Sequence, residues 1–149
     1  MEKKMLFAVA LLAVLVVALT ISILMPGGGE GENLLLVYTR RGGIAGMNDT
    51  LIVYLDGRAM LTHNGRVFQG FISPEELGSL KSLIHELEAY SGFNCQPKPG
   101  AADFFSYSIT AKNLRVDWVD PWACQGGFPQ ELESLHTFME KITSQLTQG

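Results

Sequence analysis

The stretch TLIVYLDGRAMLTHNGRVFQGFISPEE, residues 50–76, decides the fold. Leu51, Val53 and Leu55 alternate with Ile52 and Tyr54, so residues 50–55 read as a β-strand. Asp56-Gly57 is a strong two-residue hairpin signal, because the tight turns that join twisted strands need positive φ. It starts another strand that runs to about Thr62. Asn64-Gly65 repeats the signal and leads into a strand over residues 66–72. Ser73-Pro74-Glu75-Glu76 then announces a helix. Ser73 caps the first amides, Pro74 suits the first helical position, and Glu76 completes a capping box.

Working outward, residues 33–40 are rich in Leu, Val and Tyr and read as a first strand. The glycine-rich stretch Arg41-Gly42-Gly43-Ile44-Ala45-Gly46-Met47-Asn48-Asp49 separates it from residues 50–55 as a loop. Leu77, Leu80, Ile84 and Leu87 form one apolar stripe on the helix, and Gly92 is placed to end it. Phe105, Tyr107 and Ile109 alternate with polar residues, as do Leu114, Val116 and Trp118, giving two more half-buried strands. Pro129 opens a closing helix carrying Leu132, Leu135, Met139, Ile142 and Leu146 on one side. The order β-β-β-β-α-β-β-α predicts an α+β domain, an antiparallel sheet packed with two helices as a two-layer sandwich. The first two strands are apolar on both faces. Either they are central with the helices straddling the sheet, or some apolar surface awaits a partner.

Residues 5–25 contain no charge and are followed at once by Pro26-Gly27-Gly28-Gly29. As a helix this run spans about 31 Å, the thickness of a bilayer's hydrocarbon core. A single N-terminal transmembrane helix is therefore expected. A removed secretory signal is the alternative, although its apolar region is ordinarily shorter, and Ala18-Leu19-Thr20 lies inside the run. Lys3 and Lys4 precede the run, while Glu30 and Glu32 follow it. Positive charge stays inside, which predicts a cytoplasmic tail (1–4), a signal-anchor helix (5–25), a flexible linker (26–32) and an extracytoplasmic domain (33–149).

Cys95 and Cys124, the two cysteines of the chain, lie 29 positions apart among turn-forming residues. In an oxidising exterior a disulfide is the default expectation, with two unrelated thiols as the alternative. Residues 33–149 carry nine Lys and Arg against twelve Asp and Glu, a net charge of −3. A mildly acidic domain without a basic cluster does not bind nucleic acid by phosphate neutralisation.

Residue types for catalysis are sparse. His63, His85 and His136 stand in different elements. The segment His85-Glu86-Leu87-Glu88-Ala89 misses the His-Glu-x-x-His zinc helix by its second ligand. His136 and Glu140 read as a surface pair on the last helix, and His63, before a hairpin turn, as solvated. Neither a nucleophile elbow nor a phosphate loop is present in the sequence. The chain is thus expected to be non-enzymatic, with no catalytic residue, metal or cofactor. Asn48-Asp49-Thr50 fits the Asn-x-Thr glycan-acceptor pattern. Trp118 is expected in the core. Trp122 is expected either to pack over the disulfide or to act as a binding anchor.

The segment from Tyr38 to Gly46, Tyr-Thr-Arg-Arg-Gly-Gly-Ile-Ala-Gly, resembles the opening of emfourin-type proteins, small inhibitors of thermolysin-like metallopeptidases. The Pro-Glu-Glu helix start, the strand Asp103-Phe104-Phe105-Ser106-Tyr107 and the closing helix are similar as well. The likeness covers roughly residues 36–142. The membrane segment and the cysteine pair depart from it, and Ile44 stands where an aromatic residue is expected. The resemblance implies that the loop blocks a peptidase cleft, its contact residues being Arg41, Gly42, Gly43, Ile44, Ala45, Gly46 and Met47. Ile44 or Met47 would fill a hydrophobic specificity pocket, with Arg41 making polar contacts around it. The expected partners are the lipid bilayer and a thermolysin-like peptidase or another envelope protein. The alternative is a structural subunit of an envelope or pilus-like assembly.

Overall fold

The computed structural model describes residues 33–148. The charge-free run 5–25 and the linker 26–32 lie outside the described residues, and among these no helix is long and apolar enough to cross a membrane. Residues from Asn33 onward form a compact unit with its own core.

Six strands and two helices follow in the order β1 (Leu34–Gly42), β2 (Met47–Tyr54), β3 (Arg58–His63), β4 (Arg66–Phe71), α1 (Pro74–Glu86), β5 (Phe105–Ala111), β6 (Leu114–Val119) and α2 (Gln130–Gln148). A 3-10 turn, Leu87–Tyr90, extends α1. The sheet order is β4-β3-β2-β1-β5-β6, and every neighbouring pair is antiparallel. This is the α+β architecture that the residue pattern predicts. The connection between β4 and β5 carries α1 and brings β5 to the free side of β1, so β1 becomes central.

Alternation sorts the two faces. Leu36 and Tyr38 on β1, Leu51 and Val53 on β2, Leu61 on β3, Ile109 on β5, and Val116 and Trp118 on β6 are all buried. From the helices, Leu80 and Ile84 of α1 and Leu132, Leu135, Met139 and Ile142 of α2 meet them in one cluster. Both helices pack on this single face and touch each other through Lys141, whose Nζ donates to Glu76 Oε1 at 2.9 Å. They do not straddle the sheet. On the opposite face Val37, Ile52, Tyr54 and Met60 are only half-buried, and Val67 and Phe71 are exposed. The double-sided apolar pattern of β1 and β2 therefore marks central strands with one open face.

The capping box forms as its sequence predicts. Ser73 Oγ accepts the Glu76 N–H at 3.2 Å, and Glu76 Oε2 accepts the Ser73 N–H at 3.1 Å. Glu76 also receives Lys141 Nζ and Gln145 Nε2 at 2.9 and 3.3 Å, which joins the start of α1 to α2. The Lys141 hydrogen bond, followed by that of the Ser73 amide, holds the Glu76 carboxyl down at about 2 against an ordinary 4.5. A depressed folded-state pKa stabilises the fold above pH 4.5, and that contribution disappears as the pH falls toward 2. A carboxyl-detected NMR titration should place the Glu76 midpoint near 2, and Glu76→Gln should flatten the acid limb of stability between these two pH values.

Candidate functional site

The glycine-rich segment is shorter as a loop than the sequence suggests. β1 continues through Gly42 and β2 begins at Met47, so the connection contracts to residues 43–46. Arg41 pairs with Asn48 and Gly42 with Met47, which makes the segment a β-hairpin with a tight tip. The Gly46 N–H donates to Gly43 O at 3.0 Å, and the Gly43 N–H donates to Phe104 O at 3.2 Å. Gly42 and Gly43 have φ of +115° and +68°. A Cβ on Gly42 would stand 2.8 Å from Phe104 O, and one on Gly43 would stand 2.7 Å from the Phe105 ring. These glycines let the hairpin lie directly on the residues that open β5. The base of the tip is clamped.

Above this clamp Ile44 is 89 % exposed, with Ala45 and Gly46 exposed beside it. Met47, the other expected anchor, is not at the tip. It is half-buried at the start of β2, with Sδ 3.7 Å from Arg40 Nη2, because strand alternation turns it to the helix side. Arg41 points to the opposite, open face. There it lines a groove of about 430 Å³ of mixed character, with Thr39, Asn94 and Ser106 beside Pro97, Phe104 and Val119. Asn48 is exposed on that same face, and its N–H donates to Asn64 Oδ1 at 3.3 Å. The hairpin therefore brings together Ile44, Ala45 and Gly46 and separates them from Met47 and Arg41.

Beneath the tip lies a charged network for which the loop reading left no place. Arg40 Nε and Nη2 donate to Asp49 Oδ2 at 3.0 and 2.6 Å, and its Nη1 donates to Glu140 Oε2 at 2.6 Å. Tyr38 OH donates to Glu140 Oε1, and His63 Nδ1 meets Asp49 Oδ1, both at 2.7 Å. Asp49 is 1 % exposed, and the Arg40 guanidinium also stands 5.7 Å from the centroid of the Phe105 ring. Burial, reinforced by the Glu140 charge, drives the Tyr38 phenol well above its usual range, so it stays a donor. The signal for this network is the core-facing alternation itself. Continued from Leu36 and Tyr38 it reaches Arg40, and continued back from Val53 and Leu51 it reaches Asp49.

Two expectations about histidine change accordingly. His63 is not solvated but bound to Asp49, its side chain 31 % exposed. His136 and Glu140 are not a surface pair. Glu140 holds Arg40 and Tyr38, while the His136 ring packs edge-on at 4.7 Å from Tyr107 and 6.1 Å from Trp118. Burial lowers the His136 pKa and favours its neutral form. Tyr107 in turn donates to Asp120 Oδ1 at 2.7 Å. Among the described residues no hydrogen bond joins His63 to a hydroxyl or thiol, and no three His, Cys, Asp or Glu side chains converge as metal ligands.

Cys95 and Cys124 form a disulfide with a Cα–Cα distance of 5.6 Å. It fastens two loops that also exchange main-chain hydrogen bonds, from Lys98 N–H to Ala123 O at 2.8 Å and from Gln125 N–H to Gln96 O at 2.9 Å. Trp118 is buried as expected, whereas Trp122 is 58 % exposed. The chain matches no protein-family model, and no curated protein matches it.

Gly42→Ala and Gly43→Ala should each destabilise the domain by about 1–3 kcal/mol in urea unfolding, through positive φ and collision with residues 104 and 105. Gly46→Ala, with open space around it, should cost only about 1 kcal/mol from its φ of +61°. Asp49→Ala leaves Arg40 buried against Glu140 alone and should cost about 3–5 kcal/mol by the same measurement.

Proposed function

We propose that this protein is a non-catalytic binding module that inserts the tip of its β1–β2 hairpin into the cleft of a partner protein. The observation that carries the reading is Ile44, 89 % exposed on a turn whose base is clamped to Phe104 and Phe105. A large apolar side chain held out in water by a rigid hairpin has little ordering entropy left to lose on binding. Filling an apolar pocket with it is worth about 1.5–3 kcal/mol. The resemblance of residues 38–46 to emfourin-type inhibitors supports a thermolysin-like metallopeptidase as the partner class. On this reading Gly42 and Gly43 shape the hairpin and Ala45 and Gly46 flank the anchor. Arg41 contacts the partner only at the rim of the open face.

The charge-free run 5–25 anchors the chain in a membrane, and the charge bias around it puts residues 33–149 outside the cytoplasm. The Cys95–Cys124 disulfide supports an oxidising compartment. Tethering raises the effective concentration of the module near partners confined to the same surface. The tip lies at the far end of β1 from Leu34, about 26 Å along the strand.

A purified 33–149 fragment should inhibit at least one thermolysin-like peptidase in a peptide-cleavage assay. Ile44→Asp should raise the inhibition constant by about tenfold or more, and Met47→Ala should leave it nearly unchanged. Full peptidase activity at large molar excess of the fragment, across several such enzymes, would remove the peptidase as partner.

A further inference from the structure

The two edges of the sheet differ. At the β6 edge, residues 92–95 run alongside and pair with it. The Gly92 N–H donates to Arg115 O at 2.7 Å, the Asp117 N–H to Phe93 O at 3.0 Å and the Cys95 N–H to Asp117 O at 3.0 Å. At the β4 edge no described segment pairs. The two-residue turn Asn64-Gly65 makes His63 and Arg66 a hydrogen-bonded pair, so Phe68 and Gly70 also turn their backbone groups toward β3. Ile72 continues the series, its N–H donating to Gly57 O at 3.0 Å. The N–H and C=O groups of Val67, Gln69 and Phe71 therefore point outward. Val67 and Phe71 are 58 % and 77 % exposed, and no Lys, Pro or bulge blunts the strand.

We propose that β4 pairs antiparallel with β4 of a second copy of this chain, joining two sheets into one. The register centred on Gln69 uses every outward-facing group. Gln69 then faces its own counterpart, and Val67 faces the second copy's Phe71 in both halves. On the helix side Phe68 falls opposite the second copy's Gly70, which lies beside a groove of about 650 Å³ lined by Pro74, Ile142, Gln145 and Leu146. Arg66, the one charge on β4, falls opposite Ile72 and meets no like charge. Sliding by two residues leaves an outward pair unmatched and sets Val67 against Gln69. The relation is a two-fold that consumes the open edge, so assembly closes at two. It is independent of what the hairpin tip binds.

The 33–149 fragment should sediment as a dimer at high micromolar concentration. Gln69→Cys should form a symmetric interchain disulfide under mild oxidation, because Cα atoms of a hydrogen-bonded antiparallel pair lie about 5.5 Å apart. Thr110→Cys, exposed on β5, should not. Val67→Lys and Phe71→Lys should each weaken self-association by about tenfold or more while circular dichroism stays unchanged. A fragment that is monomeric at every concentration, equal cross-linking at Thr110→Cys, or a dimer that survives both lysine variants would overturn the pairing. Growth beyond two copies would overturn the closed two-fold.

Discussion

The buried carboxylate of Asp49 is the constraint around which one end of this domain is organised. A charge with 1 % exposure needs partners, and Arg40 and His63 supply them from the two neighbouring strands. Arg40 is then committed to a second anion, Glu140 of α2, which also takes the Tyr38 hydroxyl. One network therefore sets the β1–β2 register, ties β3 to it, and fixes where the last helix crosses the sheet. Such networks add little net stability compared with an apolar core. They penalise misplacement strongly, because any slip leaves a charge buried and alone. Two adjacent residues of α2 thus make ionic contacts with different elements: Glu140 with Arg40 of β1, and Lys141 with Glu76 at the start of α1.

The rigidity below the tip makes the exposure above it meaningful. An isolated exposed isoleucine is unremarkable on any surface. Here the chain spends three positive-φ glycines to bring the hairpin onto Phe104 and Phe105 and to close its tip, and it leaves Ile44 standing clear. The same clamp and alternation draw Met47 down onto Arg40, so only one of the two apolar candidates in the segment is available for contact.

The sheet is finished unevenly. Its helix face and its β6 edge are covered, the latter by residues 92–95, whose end is fastened by the disulfide to the loop after β6. Its β4 edge is not paired by any described segment, and its open face is covered only in part, where residues 94–97 and Phe104 line a groove with Thr39, Arg41 and Ser106. Charged or proline-bearing edges normally discourage strand addition, and β4 has neither device beyond Arg66 at its start.

Residues 50–76 determined most of the architecture by themselves, because tight turns, a capping box and strict alternation are local effects that need no distant partner; the Asn64-Gly65 turn has the expected two residues, whereas the turn at Asp56-Gly57 takes three, 55–57. The disulfide was legible for a related reason: two loop cysteines in one small domain have few other partners. Four things were decided only by the tertiary structure. Both helices lie on one face because they also bind each other. β1 is central because α1 carries the chain across before β5. The glycine-rich segment is a clamped hairpin and not an open loop, since Phe104 and Phe105 arrive from sixty residues away to support it. Finally, Arg40, Asp49, His63 and Glu140 form one network, although alternation in the sequence turns only Arg40 and Asp49 toward the core and nothing in it joins them to His63 and Glu140. Their burial, which gives them their role, arises only when β1, β2, β3 and α2 converge.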